Sequence, residues 1–202
     1  MAITTYAELK TAIANWVDHA NLGDRVDEFI DLAEARMNDE LRVRRMLTRT
    51  YETISSEFVS LPTGWLGMRN LDYTSGGIRY SLKYETPEWM DRQHDGGTGQ
   101  PRAYTILGSE IQLWPAPDTS YRLDWSYWKA ITALSDADTT NWVLTNHPDL
   151  YLFGAGAEAN KYLKNIPEYK NDLARFGELL KRIQRADKRD KYSGAALQVR
   201  VA

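Results

Sequence analysis

Apolar side chains recur every three or four positions over residues 6–41, alternate every second position from about Thr48 to Tyr127, and return to the wider spacing after Pro148. A 3.6-residue period marks amphipathic helix and a two-residue period marks strand, so the chain reads as helices at both ends around a β-rich middle. Tyr6, Leu9, Ile13, Trp16 and Val17 predict a first helix, opened by a Thr5/Glu8 capping box and ending near Asp18. After the turn Asn21–Asp24, Val26, Phe29, Ile30, Ala33, Met37 and Leu41 trace the apolar face of a longer helix. Its acids, Asp24, Asp27, Glu28, Asp31 and Glu34, precede Arg42, Arg44 and Arg45, the order a helix dipole favours, and they read as a solvated face.

The alternating region predicts strands from Thr48 to Ile54 and through Phe58 and Val59. Ser75-Gly76-Gly77 and Gly108-Ser109 each separate two alternating runs and predict hairpins, and Tyr121, Leu123, Trp125 and Tyr127 predict one long strand. Thr86-Pro87 predicts a capped short helix, residues 132–147 read as a loop, and Pro148-Asp149 start a helix that is apolar or small nearly all round, hence buried on several sides. From Pro167, Tyr169, Leu173, Phe176, Leu180 and Ile183 form one stripe, beyond which only charge continues. The expectation is an α+β fold: a bundle of about four helices (1–47 and 147–186), a small antiparallel β insertion between the second and third helices (48–146), and a flexible tail (187–202).

Composition narrows the chemistry. Of 202 residues 43% are hydrophobic and 26% charged, with net charge −3, which excludes a disordered polyelectrolyte. Cysteine is absent, which excludes disulfides, thiolate metal sites and a cysteine nucleophile. No apolar run is long enough to span a membrane, and Met1–Lys10 has no secretory pattern. Seven Trp and 12 Tyr against 4 Phe favour rings that are apolar at one end and hydrogen-bonding at the other, as interfaces use them. Residues 161–202 hold 11 Lys and Arg against 5 acids, so a basic end follows an acidic body.

No catalytic constellation emerges. Gly154-Ala155-Gly156 mimics a dinucleotide fingerprint, but Pro148 places both glycines inside a helix, where close packing explains them. Gly96-Gly97-Thr98-Gly99 lacks a phosphate-loop lysine, and His19, His94 and His147 have no ligand spacing, so no cofactor, metal or enzymatic activity is expected. Trp114, Trp125, Trp128 and Trp142 are read as shared between a sheet core and a protein partner rather than as a sugar-stacking platform.

Several ordered segments carry a resemblance: Leu61-Pro62-Thr63-Gly64-Trp65-Leu66-Gly67-Met68-Arg69, then Tyr84-Glu85-Thr86-Pro87-Glu88, then Gly96-Gly97-Thr98-Gly99-Gln100-Pro101. Tyr104-Thr105-Ile106-Leu107-Gly108, Leu113-Trp114-Pro115-Ala116-Pro117, Asn141-Trp142 and Pro148-Asp149-Leu150-Tyr151-Leu152 complete it. In this order and spacing the chain resembles the head-to-tail adaptor proteins of tailed bacteriophages, also called connector, head completion or tail tubular A proteins. The resemblance implies a structural virion protein of the phage neck, made in the host bacterial cytoplasm. It implies a ring, typically of twelve subunits, beneath the portal protein, with a tail or nozzle protein below, extending a channel that passes double-stranded DNA without sequence-specific binding.

On that reading Arg185, Lys188, Arg189, Lys191, Leu197, Val199 and Val201 are the portal-docking candidates, because cations steer toward an acidic surface and an alternating apolar run can add to a sheet edge. Trp65, Trp114, Trp128 and Trp142 are the candidates for subunit or tail contact. The competing reading is a glycan- or receptor-binding tail module using the Trp-rich insertion, and a weaker one is a peptidoglycan-cleaving tail enzyme with paired carboxylates.

Overall fold

The computed structural model describes residues 3–18, 22–23, 25–93 and 96–192. In chain order the elements are α1 (Tyr6–Trp16), α2 (Arg25–Glu40), β1 (Leu47–Ile54), β2 (Phe58–Ser60), β3 (Trp65–Ser75), β4 (Ile78–Ser81) and β5 (Lys83–Tyr84). They continue with α3 (Pro87–Gln93), β6 (Thr98–Gly99), β7 (Ala103–Leu107), β8 (Glu110–Trp114), β9 (Ala116–Pro117), β10 (Tyr121–Lys129), α4 (Trp142–Asn146), α5 (Pro148–Tyr162) and α6 (Ile166–Tyr192). The chain forms two units, one of Met1–Arg44 with Ile131–Ala202, the other of Arg45–Ala130.

In the helical unit, α1 starts where the capping box places it: Thr5 Oγ1 accepts from the Glu8 amide at 3.3 Å, and the Glu8 carboxylate accepts from the Thr5 amide at 3.1 Å. α1 buries Tyr6, Leu9 and Ile13, and α2 buries Val26, Phe29, Ile30, Ala33 and Met37. Both pack on α5, which also carries α6. The glycines of α5 set how closely these helices approach: a Cβ on Gly154 would lie 2.9 Å from Phe176 and 3.0 Å from Ala33, and one on Gly156 3.2 Å from Trp16.

Residues 132–147, expected as a plain loop, belong to this unit and include α4, N-capped by Asn141. They are fixed by a polar network beneath the surface. Glu34, placed by the sequence among solvated acids, is buried and accepts from the Leu134 amide at 2.9 Å and the Tyr151 hydroxyl at 2.7 Å. Asn141 Nδ2 donates to Tyr151 Oη at 2.6 Å and to the Thr132 carbonyl at 2.8 Å, and Asn38 accepts from the Ile131 amide at 2.9 Å. The last helix also runs further than its apolar stripe. Residues 187–192 continue α6, with Asp187 accepting from the Arg44 backbone at 3.2 Å and from its guanidinium at 2.9 Å, so the separate tail expected from residue 187 does not begin there.

In the β unit, one antiparallel sheet runs β1-β10-β3-β4 and a second runs β2-β8-β7-β5. Leu71, Tyr73, Tyr121, Leu123, Trp125 and Tyr127 from the first share a core with Val59, Tyr104, Ile111 and Leu113 from the second. Both predicted hairpins form, with Gly76, Gly77 and Gly108 at positive φ, where a side chain would be strained. Thr86 caps α3 by accepting from the Trp89 amide at 3.3 Å.

A bundle of about four helices with a small antiparallel insertion is therefore not the fold. Among the described residues there are six helices and ten strands in three sheets, the third being the parallel pair β6-β9. The second sheet is mixed, since β5 pairs with β7 in parallel. Strands of two or three residues and a helix of five show no period, and pairings such as Lys83 with Ala103 join segments too far apart for local spacing to reveal.

Candidate assembly surfaces

The helical spacing of α6 sorts its side chains into two faces. Phe176, Leu180 and Ile183 are buried, whereas Lys181, Arg182, Arg185, Lys188, Arg189 and Lys191 are all exposed. Arg182, Arg185 and Arg189 share the face opposite the buried stripe, and Lys188 and Lys191 sit to one side of it. The structure thus brings Arg185 and Arg189 together. The remaining docking candidates, Leu197, Val199 and Val201, lie outside the described residues.

The tryptophans chosen from sequence are engaged within their own units. Trp114 donates its indole N–H to the Gln93 carbonyl at 3.0 Å and meets Trp89 edge-on at 5.3 Å. Trp128 is half-buried on the outer face of β10, opposite Gly67. Trp65 is half-buried at the start of β3, with no hydrogen-bond partner for its indole nitrogen among the described residues. Trp142, also half-buried, meets His147 edge-on at 6.4 Å. Trp125, on the opposite face of β10 from Trp128, is in the core with its N–H donated to Glu52 at 3.0 Å. Trp16 is the exception, being 44% exposed although its indole donates to buried Asp172 at 3.2 Å.

The large exposed apolar side chains of the β unit lie elsewhere. Apart from Leu107 at the end of inner strand β7, they are Tyr51, Phe58, Ile78, Tyr80 and Tyr84 on β1, β2, β4 and β5, which are the outer strands of the two larger sheets. Tyr51 is 65% and Ile78 58% exposed. An outer strand with unpaired backbone groups and an apolar side chain is a template for another chain, and folded proteins usually blunt it with charge or proline. Spacing alone could not single out these residues, because which strands are outermost depends on long-range pairing.

Two carboxylates do face each other across strands: Asp72 of β3 pairs in register with Asp124 of β10, and both are buried. Both are engaged by neighbouring side chains. Asp124 is held by Arg122 at 3.1 Å and accepts from Thr74 at 3.0 Å, Asp72 accepts from Asn70 at 2.9 Å, and Arg79 reaches both at 3.7 and 3.8 Å. Arg122 in turn lies 4.0 Å over the Tyr51 ring. The arrangement balances two acids with two guanidiniums and ties the outer face to the exposed Tyr51.

In the helical unit, burial raises the pKa of Glu34 and of Asp172. Burial raises Glu34 above the ordinary carboxylate range, opposed by its bonds from Tyr151 and Leu134, and beside it burial pushes the Tyr151 hydroxyl far up. Burial likewise raises Asp172, opposed by bonds from Trp16 and Asn160. Each group joins helices to each other or to the return segment. Among the described residues no group of three or more His, Asp or Glu could hold a metal ion, and no helix is long and apolar enough to cross a membrane.

What the surfaces offer is chemistry for contact with other chains: apolar strand edges and a cationic helix face. No curated protein matches the chain. A family model described as SU10 adaptor protein matches residues 4–200, which takes in both units. The chain therefore belongs to the SU10 adaptor protein family, the phage head-tail adaptors, and is a structural protein of a phage.

Proposed function

We propose that the protein forms a ring beneath the portal, extends the DNA channel there and provides the attachment point for the tail. The family match over residues 4–200 carries this reading. The exposed apolar side chains on all four outer strands support it, because a protein that worked alone would leave those edges open to unwanted pairing. Lys188, Arg189 and Lys191, exposed at the end of α6, are the described part of the portal-docking segment, and Leu197, Val199 and Val201 complete it. Trp65, Trp128 and Trp142, each half-buried, and Trp114 remain candidates at the margins of subunit or tail contacts.

Sequence-specific DNA contact is no part of the proposal. An acidic body repels phosphate, and DNA that must slide through is best held weakly. A glycan platform would need flat aromatic faces exposed together; Trp114 and Trp89 instead pack edge to face, and Trp125 is buried. Sedimentation of the purified chain with purified portal tests the proposal. A stable complex that excludes excess chain at a fixed stoichiometry is expected. Independent sedimentation of the two proteins at every ratio would overturn it.

A further inference from the structure

The ring reading requires neighbouring copies to meet, and the helical unit carries two surfaces that match. On α2, Glu28, Asp31 and Asp39 lie with Leu32 and Ala35 on the face turned away from buried Phe29, Ala33 and Met37. All five are exposed, Leu32 at 48%. None of the three carboxylates has an ion pair among the described residues, whereas Asp27 beside them is paired with Lys10 at 3.4 Å. On α6, Lys181, Arg182 and Arg185 form the complementary strip, which carries one acid, Glu178, on the same exposed face. Arg182 is tied to Asp149 at 3.0 Å, but Lys181 and Arg185 have no ion pair among the described residues.

These strips are separate surfaces of one group of helices. Both α2 and α6 pack on α5, meeting at Gly154, and each turns its charged face away from that contact. A two-fold contact through either strip would set like charges against each other. A contact between the two different strips sets three anions against three cations around an exposed leucine, and leaves a free acidic strip at one end of every pair and a free basic strip at the other.

We infer that the acidic α2 strip of one copy receives the basic α6 strip of a second copy of this chain, a head-to-tail contact that rests on the adaptor reading and names its subunit interface. Repetition of one such contact closes into a ring when its rotation divides the circle. Arg185 then belongs to the neighbour, while Lys188 and Lys191, to one side of the strip, and Arg189, beyond its end, are left for the portal.

The absence of cysteine from the chain makes the test direct. Ala35→Cys on α2 and Glu178→Cys, which lies on the same face of α6 as Arg182 and Arg185, remove none of the six charges. In portal-assembled necks treated with a short bis-maleimide, the chain carrying both should give a ladder of covalent oligomers, and each single variant none. Lys181→Glu with Arg185→Glu should cut the ladder at least tenfold, and adding Asp31→Lys with Asp39→Lys should restore it; helical circular dichroism confirms that each variant is folded. Cross-linked dimers from a single variant, or no ladder from necks that contain the chain, would overturn the inference and leave the adaptor reading standing. Necks assembled without the chain would instead sink the adaptor reading and the inference with it.

Discussion

Glu34 accepts from the Leu134 amide and the Tyr151 hydroxyl inside the helical unit, so its removal and its neutralisation have opposite effects. Glu34→Ala leaves two buried donors unpaired and should destabilise by about 1–3 kcal/mol for each. Glu34→Gln keeps an acceptor for both and removes a charge that burial disfavours. Because the folded carboxyl titrates above its unfolded value, the folded state holds a proton that the unfolded chain has already lost. This contribution is full below about pH 4, the ordinary carboxylate range, and declines as pH rises through the folded value. Thermal unfolding between pH 4 and pH 7 should therefore depend less on pH in Glu34→Gln than in the parent chain; an equal or steeper slope would contradict the assignment. Gly154→Ala should destabilise by about 1–3 kcal/mol, because the added methyl would lie within 3.0 Å of both Phe176 and Ala33, which outweighs the roughly 1 kcal/mol gained in helix propensity. An unchanged or raised melting temperature would show that α5 can shift to admit it. The sequence revealed the glycines but not the glutamate, for a physical reason. Pro148 fixes where α5 begins and so places Gly154 inside it, whereas Glu34 sits on the flank of the apolar stripe, and only its distant partners Leu134 and Tyr151 make a buried carboxylate tolerable.

At the scale of elements, the hairpins and long helices were legible because each is set by neighbours in sequence: Gly76-Gly77 and Gly108 supply the turns, and Thr5 with Glu8 supplies the cap. Strand order was not, because it depends on pairing between distant segments, and with it went the identity of the outer strands and of Tyr51, Ile78 and Tyr84 as the exposed apolar positions. The tryptophans attracted the prediction because they are the largest amphipathic side chains, yet large rings also fill cores best, and Trp125 does so. Phe58→Lys combined with Ile78→Lys should leave the unfolding temperature nearly unchanged, as substitutions of exposed side chains stay within about 0.5 kcal/mol, while weakening incorporation into portal complexes. Undiminished incorporation would remove β2 and β4 from the assembly surface. A chain ending at Tyr192 retains the Arg44–Asp187 contact and should keep its helical circular dichroism. That truncation should lose portal binding, and full binding by it would confine docking to the described part of α6.

The whole molecule comprises a helical unit tied together by buried polar groups and a β unit with apolar outer strands. Stability and assembly are thereby placed on different residues: Glu34, Gly154 and Asp172 lie inside, and Tyr51, Ile78 and the α6 cations lie outside. Substitutions of the two kinds should separate in experiment, the first lowering melting temperature and the second lowering incorporation. The most direct test of the adaptor account is a reconstruction by electron cryomicroscopy of the portal mixed with the intact chain. The account predicts a closed ring of this chain on one end of the portal, coaxial with the DNA channel, with α2 of each copy facing α6 of the next. Density elsewhere on the portal, or the chain bound as isolated copies without ring contacts, would contradict it.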